Sequence, residues 1–187
     1  MQGWNRWQIL VMLRSFDPTP GKPIIVFDLF SGMGTGFLAA IDTPKITAAP
    51  RVTWISIDKD NDGSWVHYNS ARAKVTRDVF QGDLEFASYR DIETGGIRLD
   101  LSITSTKTAQ LLEQMGHDGA WWLNTHKVND LLHTLGVSKR NVLVMNGSPC
   151  DDCSGNNPRR QGKDGARSQL FRFGPQVYSS IQETNSI

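Results

Sequence analysis

The sequence predicts an α/β protein built on a doubly wound, mostly parallel sheet, and three observations predict it. Short apolar runs rich in β-branched residues, "IIVFDLF" at 24–30 and "RVTWISI" at 51–57, read as strands buried on both faces. The first of them passes at once into a glycine-rich turn, "SGMGTG", and a helical segment, "FLAAID". A further buried strand, "RNVLVMNG" at 140–147, returns after two amphipathic helices. Strands alternating with helices in this way belong to layered α/β sheets.

Taken in order, the segment "WNRWQILVMLRSF" carries Trp4, Trp7 and Val11 at helical spacing and predicts a short amphipathic helix docked on the body. "DPTPGKP", from Asp17 to Pro23, breaks that helix and acts as a spacer. The second strand ends in acid at Asp58, and "ARAKVTRDVFQGDLEF" reads as helix or loop leading to a third strand edge near Gly82 and Asp83. "STKTAQLLEQMGHDG" places Leu111, Leu112 and Met115 on one helical face, with Ser105 or Thr106 as N-cap. "THKVNDLLHTLGV" repeats the pattern with Val128, Leu131, Leu132 and Leu135 and stops at Gly136. No internal repeat or low-complexity tract interrupts the series.

Composition excludes several classes. With 187 residues, 39% hydrophobic and 21% charged, the chain is long enough for one domain with a real core. A net charge of +1 gives no global basic field, so nucleic-acid binding would depend on local patches. Two cysteines make no disulfide scaffold, no signal peptide is visible, and no apolar run approaches the ~20 residues that cross a bilayer. The expectation is a reducing, intracellular setting with no membrane.

The chemistry-bearing features cluster at strand ends. Glycines at 32, 34 and 36 give G-x-G-x-G rather than the G-x-G-x-x-G of nicotinamide dinucleotide sites. The turn is expected at the carboxyl end of the first strand, where open α/β sheets bind ligands, although a tight turn needing positive φ would leave the same trace. Asp58 is placed to take both hydroxyls of a ribose, and Asp83, at a presumed third strand end, to accept from an adenine amino group. Turn, ribose acid and adenine acid in this order fit a nucleoside cofactor without a pyrophosphate, and S-adenosylmethionine is the natural candidate.

Both cysteines, Cys150 and Cys153, lie in "NGSPCDDCSGNNPRRQGKDGARSQLF". P-C-x-x-C occurs in zinc deaminases, but their H-x-E partner motif is absent: the four histidines read "HYN", "HDG", "HKV" and "HTL". A structural zinc site lacks four ligands, and a thioredoxin-type pair belongs after the first strand. Two inert residues would explain neither the proline nor the loop. A nucleophilic Cys150 at the exit of a buried strand explains more, with Arg159, Arg160 and Arg167 favouring the thiolate and contacting phosphates, and loop glycines allowing closure.

These residues carry a resemblance. "FDLFSGMGTG" resembles the first motif of the DNA cytosine-5 methyltransferases, and the Pro-Cys stretch resembles their catalytic motif and the loop after it. The eukaryotic de novo type is most similar, with Gly-Ser-Pro-Cys, a serine four residues after the cysteine and Asn-Pro ahead of basic residues. "WISIDKD" and "QGDLEF" match the second and third motifs more loosely. The resemblance implies a Rossmann-like, S-adenosylmethionine-dependent methyltransferase sheet that is incomplete at its C-terminus. It divides the chain into 1–23 (helix and spacer) and a partial catalytic domain, 24–187. Within that domain, 24–84 is the cofactor half, 85–140 a divergent insertion whose "GAWWLN" has no assignment, and 141–173 the catalytic strand and loop.

The same resemblance puts the cofactor on Asp28, Phe30, Ser31, Gly32, Met33, Gly34, Thr35, Gly36, Asp58, Lys59, Gly82, Asp83 and Gly147. It makes Cys150 the catalytic residue and gives the DNA, with its flipped cytosine, to Pro149, Ser154, Arg159, Arg160, Arg167 and Ser168. The implied reaction has the Cys150 thiolate add to carbon 6 of that cytosine. Carbon 5 takes the methyl group of S-adenosylmethionine, and loss of its proton and of the thiol releases 5-methylcytosine. No metal is implied. The family's Glu-Asn-Val motif, later Arg-bearing motif and target-recognition region have no counterpart among Glu85, Glu93, Glu113, Glu183 and their surroundings. The expectation is therefore the amino-terminal half of such an enzyme: split and completed by a partner methyltransferase chain, truncated, or a module that only binds the cofactor or regulates a fuller enzyme. Its location would be the nucleus in a eukaryote, the cytoplasm in a bacterium or phage.

Overall fold

A computed structural model describes residues 13, 15–58, 64–93, 95–100, 106–147 and 169–183, with the side chains at 64–67, 90, 95–100 and 106 excepted. The stripe of Trp4, Trp7 and Val11 and the cap position Ser105 lie outside the described residues. The elements are β1 (Ile24–Leu29), α1 (Thr35–Ala40), α2 (Pro44–Thr47), β2 (Arg51–Ile57), α3 (Ser64–Val75), β3 (Asp83–Asp91), β4 (Gly95–Asp100), α4 (Thr106–His117), α5 (Thr125–Leu135), β5 (Val142–Asn146) and α6 (Phe173–Gln182).

They form one five-stranded sheet in the order β4-β3-β2-β1-β5. β3, β2, β1 and β5 are parallel, and β4 pairs antiparallel with β3. All six residues of β1 are buried, as befits a central strand covered on both faces. Alternate residues feed two cores. Phe27, Leu29, Ile55, Ile57 and Tyr89 pack under α4, α5 and α6, while Val26, Trp54 and Phe86 pack with Phe37 of α1 and Ala73 of α3. This is an α/β architecture with helices on both faces, compatible with a Rossmann-like fold. No described helix is long and apolar enough to cross a membrane.

The segment without an assignment in the sequence is a core plug. Trp121 packs tilted against Phe27 and edge-on to Tyr89, and Trp122 lies 5.2 Å from the Tyr89 ring. The Trp122 indole donates to the Ile92 carbonyl at 3.3 Å and the Tyr89 hydroxyl to that of Leu112 at 2.8 Å, so the pair fastens α4 and the exit of β3 to the sheet. α5 then begins on Asn124, whose side chain accepts from His126 and Lys127 N–H groups, and ends on Gly136. β4 was not expected. The Asp91 carboxylate accepts the Glu93 N–H at 2.8 Å, a side-chain turn that reverses the chain into it.

One expectation needs correcting. Gly82 and Asp83 precede β3 and open it, rather than closing a strand. Asp83 pairs with Arg51, the first residue of β2, whereas Leu29 pairs with Ile57, the last. The pair therefore sits at the amino edge of the sheet, roughly 20 Å from the carboxyl ends at the rise of an extended chain. The boundary drawn at 84/85 also falls inside β3. The glycine is there for packing: a Cβ on it would overlap the Pro50 carbonyl oxygen, and the next N–H, of Asp83, donates to that oxygen at 3.0 Å. Gly82→Ala should lower stability by about 1–3 kcal/mol through overpacking against backbone. Asp83→Ala, at an exposed position, should stay within about 0.5 kcal/mol in urea unfolding.

Candidate functional site at the carboxyl edge of the sheet

Past Leu29 the chain turns sharply over the end of β2. Phe30 takes φ 58°, a left-handed conformation that costs a non-glycine residue roughly 1–2 kcal/mol. Its N–H and that of Ser31 both donate to the Ile57 carbonyl, at 2.7 and 3.3 Å. The Gly32 N–H donates to the Asp58 carboxylate, and the Asp58 N–H to the Tyr89 carbonyl at 3.2 Å. Thus Asp58 links the turn to the ends of β2 and β3.

Two glycines of the turn answer to close approach. Gly34, at φ 71°, faces α3, where a Cβ would stand 2.5 Å from Asn69 Oδ1. Gly36 lets α1 lie against the sheet, since its Cβ would stand 2.6 Å from Met145 Cε and 3.1 and 3.2 Å from the Asp28 carboxylate oxygens. The turn's carbonyls are drawn toward α3. Asn69 Nδ2 donates to Gly32 O at 2.7 Å, and the Arg72 guanidinium to Met33 O and Gly34 O, with the Tyr68 ring 4.4 Å beneath it. The first N–H groups of α1, those of Thr35 and Gly36 among them, have no partner within the helix.

Beneath the turn lies a buried polar layer. Asp28, Ser56 and Ser88 stand side by side across β1, β2 and β3. Ser56 donates to Ser31 Oγ at 2.6 Å. Asp28 is only 5% exposed. Burial pushes its carboxyl up to about 7, the Asp58 charge adds to the rise, and the Trp54 indole opposes it. Neither Asp28 Oδ2 nor Trp54 Nε1 has a hydrogen-bond partner of normal geometry, so the indole acts as an imperfectly placed dipole. Asn69 Oδ1 and Ser88 Oγ are likewise buried without a partner.

β5 leaves the sheet beside this turn. The Gly147 N–H donates to the Leu29 carbonyl at 3.0 Å, and a Cβ on Gly147 would stand 3.3 Å from Phe30 O. Asn146, which pairs with Leu29, donates to Phe171 O at 3.3 Å and seats α6. One edge thus gathers Asp28, Phe30, Ser31, Gly32, Met33, Gly34, Thr35, Gly36, Asp58 and Gly147. Gly82 and Asp83 are not there. Lys59, Pro149, Cys150, Cys153, Ser154, Arg159, Arg160, Arg167 and Ser168 lie outside the described residues.

Sequence reasoning missed Asn69 and Arg72, which clasp the turn, and the polar layer of Ser56 and Ser88. The signals were an Asn and an Arg three residues apart on one helix, and small hydroxyl residues, Ser56 and Ser88, set among apolar neighbours late in their strands. No protein-family model, curated protein or solved structure matches the chain.

Below about 7 the Asp28 carboxyl stays protonated in the folded chain, whereas the unfolded carboxyl ionises near 3.8. Its contribution is fully present below that value and is lost as pH rises toward 7. The loss should be on the order of 4 kcal/mol in all. Asp28→Asn should flatten this part of a stability–pH profile taken by urea unfolding and leave the chain more stable than the parent at pH 8.

Proposed function

We propose that the chain binds S-adenosylmethionine at the carboxyl edge of its sheet and carries the cofactor and nucleophile motifs of a DNA cytosine-5 methyltransferase. The observation that carries this reading is the convergence, at the carboxyl ends of β2, β1 and β5, of Asp58, the glycine-rich turn and the exit of β5. β2 and β3 lie on one side of β1 and β5 on the other. Such a switch in strand order opens a crevice outside the carboxyl ends of the strands.

The residues present fit the cofactor. A buried carboxyl lacking a full set of partners, Asp28, underlies the turn and suits a ligand with positive charge. The missing side chain at Gly32, where a Cβ would meet nothing closer than 3.8 Å, leaves backbone for close contact, and Phe30 offers an aromatic ring. Asp58 accepts from Gly32, and a carboxylate at that strand end suits a ribose hydroxyl. Asp83 has no part in this reading. S-adenosylmethionine, when bound, supplies an electrophilic methyl group.

Gly147, the residue after β5, stands beside Phe30. Cys150 follows three residues further along the sequence. Its thiolate would add to carbon 6 of an extruded cytosine, make carbon 5 nucleophilic, and leave once the carbon-5 proton is lost. The basic loop residues Arg159, Arg160 and Arg167 would hold phosphates.

A specific observation favours binding without turnover by the chain alone. Addition to cytosine needs a proton or strong hydrogen bond at the ring nitrogen, help worth roughly 10²–10⁴-fold. Glu85 is buried inside the sheet and bonded to Thr53 at 2.8 Å, while Glu183 is bonded to Thr125 on the α5 side. Glu93 lies in the β3–β4 turn and Glu113 is exposed on α4. No glutamate stands at the carboxyl edge of β1.

Calorimetry should show binding of S-adenosylmethionine that Asp58→Ala weakens by about 1–3 kcal/mol. Unchanged affinity would remove Asp58 from the site. With the completing motifs supplied by a partner methyltransferase chain, DNA containing 5-fluorocytosine should trap an adduct on denaturing gels with the parent chain and with Cys153→Ser, and not with Cys150→Ser; the reverse pattern would reassign the nucleophile. In a tritiated-methyl transfer assay the chain alone should stay near background. Robust turnover abolished by Cys150→Ala would refute the claim that an acid is missing.

A further inference from the structure

Two carboxylates sit under the turn at the ends of neighbouring strands, and no cation is paired with Asp28 among the described residues. Asp28, on β1, has one oxygen without a hydrogen-bond partner and is held from solvent by α1. From β2 it is faced by the Trp54 indole, the Ser56 hydroxyl and the Asp58 carboxylate. From α1 it is faced by Gly36, which has no side chain to cover it, and from β5 by Met145. α3 contributes a cation, Arg72, but its guanidinium is engaged with the carbonyls of Met33 and Gly34.

A buried carboxyl in this setting has two states of similar free energy. Protonated, it avoids the cost of an unpaired buried charge and of repulsion from Asp58. Ionised, it attracts any positive charge held at the turn above it, across low-dielectric protein. We propose that Asp28 makes this site selective for a positively charged ligand, and that uptake of such a ligand drives the proton from the Asp28 carboxyl to solvent. The choice of ligand rests on the reading given under Proposed function. S-adenosylmethionine carries a sulfonium that its demethylated product, S-adenosylhomocysteine, lacks. Asp28 is then the residue that tells donor from product: the donor is held by the ionised carboxylate, and loss of the sulfonium charge lets the proton return and the product leave. The proton released on donor binding passes to buffer and is recovered from it on product departure, so the cycle balances.

Titration calorimetry of the full chain tests this with S-adenosylmethionine and S-adenosylhomocysteine at pH 6, 7 and 8, each in two buffers of different ionisation enthalpy. The expected result is net proton release at pH 6 with the donor and less with the product. Donor affinity should rise with pH by up to about tenfold per unit below 7 and flatten above. Asp28→Asn should bind both ligands with matched, pH-insensitive preference and release no proton. Because the buffer comparison is made on the parent chain, the result stands even if that variant folds poorly. Binding of both ligands by the parent without proton release or pH-dependent preference would overturn the role of Asp28 and leave the site assignment intact. Binding of neither would overturn the site assignment and this proposal with it.

Discussion

The hydrogen bond from the Gly32 N–H to the Asp58 carboxylate is the contact on which the carboxyl edge depends. It closes the turn onto β2, and together with the two bonds to the Ile57 carbonyl it holds Phe30 in a left-handed conformation that isolated backbone disfavours. Once the turn is fixed, its carbonyls fall within reach of Asn69 and Arg72, and α1 is launched against the sheet at Gly36. The same bond brings the Asp58 charge beside Asp28. Structure and electrostatics of the site thus share one origin, and a change at Asp58 would alter the turn as well as any direct contact with a ligand.

The large elements were legible because their periodicity was strong. β1 and β2 read as two-sided strands and are buried throughout, save Arg51 at the start of β2. α5 carries its apolar face at Val128, Leu131, Leu132 and Leu135, all buried. The Gly-Asp pair at 82 and 83 misled because a glycine before an acid has the same appearance at either end of a strand. Only register distinguishes the ends, and register is a tertiary property. β4 was hidden for a related reason, since a short antiparallel edge strand after an Asx turn has little apolar signal of its own. The two tryptophans read as an oddity because their partners, Phe27 and Tyr89, lie far away in sequence.

The candidate site was half legible. Glycines at 32, 34 and 36 announced a turn, and Asp58 announced a strand end. Their mutual bond, the clasp from α3 and the polar layer required side chains from three strands and a helix to be brought together. Asp28 illustrates the difference: within "IIVFDLF" it is one polar residue in an apolar run, and only its burial beside Asp58 turns it into a carboxyl poised near neutrality. The functional reading joins this edge to the Pro-Cys stretch through β5, after which Gly147 lies against Phe30.

The most direct test of the central claim, that the carboxyl edge rather than the amino edge receives the ligand, is hydrogen exchange of the full chain with and without saturating S-adenosylmethionine. The account predicts slowed exchange across Phe30 to Gly36, at Asp58 and at Gly147, with Gly82 and Asp83 unchanged. Protection centred on Gly82 and Asp83, or none at the turn under conditions where calorimetry reports binding, would contradict it.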